Sequence, residues 1–195
     1  MCRVSLIAAA SLACAACGAG QDKAPIKAAD APGCIADDSG SLHARLRGAV
    51  TADVEWLNAD MQCAGDLRPD NSGMRLTFAG TLPGDAGAPV RQVRFIFGVD
   101  HQDTAAGAAQ SLPTNITVIF EGEQQMYATQ GKERCAVEVL ERTPMASGSG
   151  SGSGKRERVH ARGYCVDPAT SMAGESSLLI PTFDFTGVIN TEAPQ

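Results

Sequence analysis

Histidine, aromatic residues and positive charge are all scarce in this chain. Three histidines, His43, His101 and His160, occur in 195 residues, and none pairs with another at metal-binding spacing. Neither the HExxH zinc helix nor a kinase or dinucleotide signature occurs. Six Phe, two Tyr and one Trp leave a core that must be largely aliphatic apart from the phenylalanines. Sixteen Lys and Arg against 22 Asp and Glu give a net charge of -6. The basic footprint of a general nucleic-acid binder is therefore missing. The one basic stretch, "KRERVHAR" (155–162), fits a solvated strand face. Helical periodicity is almost absent. The longest apolar run, from Val4 to Ala16, falls short of the roughly 20 residues a spanning helix needs.

The chain does have enough apolar residues, 44%, and enough length to bury one core. Its first residues, "MCRVSLIAAASLACAACGAG", place one cation (Arg3) before the short apolar run and end it in small residues, the layout of an export signal. Ala15 and Ala16 then lead into Cys17. This segment resembles the lipobox of bacterial lipoproteins, cut before a cysteine that then carries acyl chains such as palmitate. It departs from that pattern at position 14, where the family has leucine and this chain has Cys14, itself an alternative acylation site. An ordinary signal cut nearby, releasing a soluble periplasmic protein, is the other outcome. The resemblance implies a signal over 1–16, lipid on Cys17 and, because Gly18 and not aspartate follows, the periplasmic face of the outer membrane. Loss of the signal removes Arg3 and makes the mature chain one unit more negative. "QDKAPIKAADAPG" (21–33) has little to bury, so 17–33 reads as acylated cysteine plus tether.

Four cysteines then remain, Cys34, Cys63, Cys135 and Cys165, an even number suited to two disulfides in an oxidising compartment. "RCAVEVLER" (134–142) and "RVHARGYC" (158–165) both alternate as strands do. Set antiparallel with Cys135 opposite Cys165, they place Val137 against Gly163, Val139 against Ala161, Glu141 against Val159 and Glu138 against Arg162. One face is then small or apolar, and the other carries a favourable charge pair. The expected bridges are Cys135–Cys165 and, by elimination, Cys34–Cys63.

The Gly/Ser run in "TPMASGSGSGSGK" (143–155) becomes the tip of that hairpin, whether natural or an engineered linker. A phosphate loop would need Ser or Thr after Lys155, where Arg156 stands, and glycine at 149, where Ser149 stands. Further strand patterns cover 42–50, 74–82, 93–99, 115–122, 126–130 and 177–189, with Pro181 making the last an edge or bent strand. Residues 51–61 fit either a strand or a short helix, and 104–110 fits one helical turn. Turn-rich pieces at 68–73, 83–89 and 166–174 separate the strands. The expected fold is an all-β antiparallel sandwich or open barrel of about seven strands over 34–195, with two disulfides.

Chemistry has one candidate in the sequence, the loop "GVDHQDT" (98–104). Asp100, His101 and Asp103 could offer ligands or an acid/base pair there, or simply cap a turn. His43 and His160 fall on outward strand faces. Asp66, Asp70 and Asn71 lack the EF-hand order and fit a turn. No metal, cofactor or catalytic set is expected. The expected function is a lipid-anchored, non-catalytic binding or interaction module, of the inhibitor or immunity type. Its partners would be the membrane and an envelope protein or small ligand. The alternative is a small hydrolase or metal-dependent enzyme centred on the 98–104 loop.

Overall fold

The computed structural model describes residues 33–70, 72–84, 89–100, 111–131, 133–145 and 155–191. The chain separates between Asp30 and Ala31, and every described residue belongs to the second unit. The expected signal, Cys17 and all of the tether except Gly33 lie outside the described residues, as does the Gly/Ser run at 146–154.

The strands are β1 (Ser41–Gly48), β2 (Ala52–Leu57), β3 (Met61–Leu67), β4 (Gly73–Leu82), β5 (Arg91–Asp100) and β6 (Leu112–Glu121). β7 (Gln125–Ala128), β8 (Cys135–Pro144), β9 (Arg156–Cys165), β10 (Ala169–Ser171), β11 (Ser177–Leu179) and β12 (Phe183–Asn190) complete the set. A single 3-10 turn, Asn58–Asp60, separates β2 from β3. The fold is all-β with two disulfides, Cys34–Cys63 and Cys135–Cys165. Among the described residues no helix is long and apolar enough to cross a membrane.

Among the described residues twelve strands replace the expected seven or so, in one mixed sheet ordered β2-β1-β11-β10-β7-β6-β5-β4-β3-β12-β9-β8. The ambiguous 51–61 stretch is largely a strand, and Pro181 splits 177–189 into β11 and β12, which share β1 as a partner but otherwise pair with β10 and with β3 and β9 respectively. The split also puts Leu178 and Ile180 in the core and leaves Leu179 between them only partly buried. β3 and β10 arise where the sequence has no β-branched run. "MQCAGDL" is drawn into the sheet by its full-length pairing with β4, an instance of context overriding propensity. One contact is parallel, Asn190 beside Asp66, against an otherwise antiparallel ladder.

Two further pairings, β1 with β12 and β6 with β8, fold the ladder back on itself. As a result the inward side chains of β2-β1-β12-β9-β8 face those of β3-β4-β5-β6-β7. Phe97 meets Phe185 at 4.6 Å between ring centres, Phe78 meets Phe185 at 5.2 Å, and Trp56 meets Phe95 edge-on at 5.6 Å. All of these side chains are buried, as the period-2 pattern of each strand requires.

Along β8 and β9 the register is as expected from Cys135–Cys165 to Val137–Gly163 and then slips. Val139 stands opposite Arg162, Leu140 opposite Ala161, Glu141 opposite His160 and Arg142 opposite Val159. The expected Val139–Ala161, Glu141–Val159 and Glu138–Arg162 pairings do not form. A bulge at Glu138 absorbs one residue, which alternation alone does not signal.

Candidate functional site

Asp100 ends β5, and its carboxylate accepts a hydrogen bond from Arg68 Nη1 at 2.7 Å in a half-buried ion pair. His101 and Asp103 lie outside the described residues. Asp70 closes an Asx turn by accepting the Ser72 backbone N–H at 3.0 Å. The Ser72 hydroxyl and N–H hold its pKa below the ordinary carboxylate value. Among the described residues no group of three or more His, Cys, Asp or Glu side chains is placed to hold a metal.

The more informative place is the outer face of β2-β1-β12-β9-β8. There β1 pairs with β12 only from Ser41–Thr186 to Ala44–Phe183. Beyond that point the Arg45 N–H donates to Thr182 O at 3.1 Å, and β1 moves across to pair with β11. The divergence leaves a groove of about 470 Å³. Its floor includes Ala44, Gly163 and Phe183. Gly163 is required there, because a Cβ would lie 2.1 Å from Ala136 O and 2.5 Å from the Phe183 ring.

Charged side chains line the walls in register. Glu55 stands opposite His43, His43 opposite Asp184, and Asp184 opposite Arg162, a continuous row across four strands. Two residues along, on the same face, Arg45 stands opposite Asp53. The bulge turns Glu138 outward into the same groove, beside Tyr164. Bulges often re-aim a side chain in this way next to binding sites.

Some of these charges are already matched. Asp53 is taken by Arg47 at 2.8 Å, and Asp184 lies 3.4 Å from His160 Nε2. His160 Nδ1 lies 3.8 Å from Glu141, so this imidazole sits between two carboxylates and is not simply solvated. Arg45, Glu55, Glu138 and Arg162 have no ion-pair or hydrogen-bond partner among the described residues, and all four are exposed. Their solvated charges are therefore available to a partner. Guanidinium forks suit carboxylates, and the two glutamates suit ammonium or hydroxyl donors.

No family model, curated protein or solved structure matches the chain.

The sequence places His43 and His160 on outward faces but does not assemble the groove. Alternation marks which side chains leave the core, whereas the row needs β1 to sit beside β12 and β12 beside β9. Those neighbours are more than a hundred residues apart or reversed in order along the chain.

Proposed function

We propose that the chain is an exported envelope protein, lipid-anchored through Cys17 at the periplasmic face of the outer membrane. Its curled, sandwich-like sheet then serves as a non-catalytic binding module of the inhibitor or immunity type. The partner is an envelope protein presenting a segment with charges of both signs. One observation carries this reading: Arg45, Glu55, Glu138 and Arg162 surround one groove and lack partners among the described residues. Complementary charges of this kind steer encounter and select among partners more than they add affinity. The lipobox-like segment and the two disulfides support the compartment, because such bridges persist in oxidising environments.

The test is crosslinking capture from the native envelope by the wild-type chain and by an Arg45→Glu, Arg162→Glu variant. A partner captured by the first, lost by the second and released by added salt supports the reading. Equal capture by both removes the groove from it. Metabolic acyl labelling of wild type against Cys17→Ala tests the anchor, and label retained by the variant would place the lipid elsewhere.

A further inference from the structure

The outer face of the opposing strands carries a second groove, of about 450 Å³, with a different character. Ile96 on β5, Ile119 on β6 and Met126 on β7 line it and are only partly covered. Ile119 stands opposite Met126, and Ile96 stands opposite Thr117, two residues before Ile119. The three side chains thus form a diagonal apolar strip on a face that ordinarily carries polar groups. Arg94 and Glu121 pair at 2.6 Å at the far side of the strip.

At the head of the strip are two guanidinium groups. Arg68 lies across bare backbone at Gly98, where a Cβ would come within 2.9 Å of its Nη2, and it is matched by Asp100. Arg75 stands opposite Gly98, is exposed and has no ion-pair or hydrogen-bond partner among the described residues. The groove therefore combines one positive charge on β4, unmatched among the described residues, with an apolar track that crosses from β5 to β7. Two interstrand spacings make that track roughly 10 Å wide, and the Arg75 strand lies one spacing further, roughly 14 Å from β7.

We propose that this groove binds a single-chain amphiphile with one negative charge, a long-chain carboxylate. The head accepts hydrogen bonds from Arg75, and the chain lies over Ile96, Ile119 and Met126. A single unmatched cation suits a monoanion, whereas a dianionic phosphate head would retain a charge the site does not answer. The guanidinium fork meets both carboxylate oxygens. Covering the strip removes apolar surface from water, which supplies the drive for the chain.

The full-length chain with labelled Ile and Met methyl groups is titrated with dodecanoate, dodecanol and dodecyltrimethylammonium below their micelle-forming concentrations. Dodecanoate should shift the Ile96, Ile119 and Met126 methyl signals saturably, and the other two amphiphiles should bind more weakly. Arg75→Ala should weaken dodecanoate about tenfold, the scale of one lost charged hydrogen bond, and Arg75→Lys should restore part of it. Arg75 is exposed, so its variants should keep the wild-type methyl spectrum outside the groove. Equal binding of all three amphiphiles, shifts confined to other methyl groups, no saturable shift, or unchanged affinity in Arg75→Ala would each overturn the proposal.

Discussion

The carboxamide oxygen of Asn58 accepts the backbone N–H of Ile35 at 2.6 Å. The same oxygen accepts the Gly40 N–H at 3.1 Å, Asn58 Nδ2 donates to Asp38, and the Asn58 backbone carbonyl accepts the Cys34 N–H. One buried side chain thus organises the whole 34–40 segment, which the Cys34–Cys63 bridge ties to β3. Asn58→Ala would leave two backbone donors buried without acceptors. It should cost about 2–6 kcal/mol, from roughly 1–3 kcal/mol per orphaned group. Urea unfolding followed by the fluorescence of Trp56 measures this. A loss under about 1 kcal/mol would mean that water replaces the carboxamide.

Gly163 is the second fixed point. Alanine there drives a methyl group into Ala136 O and the Phe183 ring, where the neighbour is backbone on one side and packed aromatic on the other. Gly163→Ala should destabilise by about 1–3 kcal/mol or more, and calorimetry reads it. Wild-type stability in this variant would show that β8 and β12 close less tightly over β9.

The Cys135–Cys165 bridge crosslinks β8 to β9 at the foot of the hairpin. Replacing both cysteines with alanine should cost about 2–5 kcal/mol by the same urea assay. Peptide mapping without reduction should recover Cys135 joined to Cys165 and Cys34 joined to Cys63. Recovery of any crossed pair contradicts the register of β8 and β9.

Acid should weaken one surface clamp. Arg91 donates to both oxygens of Glu123, at 2.7 and 2.6 Å, and lies 4.1 Å over the Phe120 ring. Hydrogen bonds from Arg91 hold the Glu123 pKa below its ordinary 4.5. A depressed carboxylate contributes stability that is complete above the unfolded value and is lost as pH falls through the folded one. The contribution should therefore be intact above about pH 4.5 and disappear below it. Glu123→Gln should lower the neutral melting temperature slightly, converge with wild type in acid and so flatten the fall over that acid range. An unchanged acid slope would assign the sensitivity to other groups, among them Asp37, which Ser39 and Arg158 also depress.

Much of the fold is legible without coordinates. The inward faces of β1, β4, β5 and β6 follow from alternation, and Leu42, Phe78, Phe97 and Ile116 are fully buried as that pattern requires. The pairing of Cys135 with Cys165 follows from the same rule, because a slip of one residue would turn the apolar face to water. Legibility ends where local pattern and pairing disagree. β3 has an unpromising composition and forms because β4 templates it, and the Glu138 bulge spends one residue without altering the strand signal.

The candidate site divides in the same way. Asp100, His101 and Asp103 drew attention because they are adjacent in the chain, yet Asp100 answers to Arg68, 32 residues away. Arg45, Glu55, Glu138 and Arg162 are unremarkable one by one and acquire meaning only side by side.

By itself, the sequence determined the all-β class, the inward and outward faces and the positions able to bridge, because side-chain alternation is a property of each strand alone. Only the tertiary structure decided the strand order, the closure of the sheet through β6–β8 and β1–β12, and both grooves. Those depend on contacts between strands far apart in the chain, whose relative placement is set by the packing of the common core.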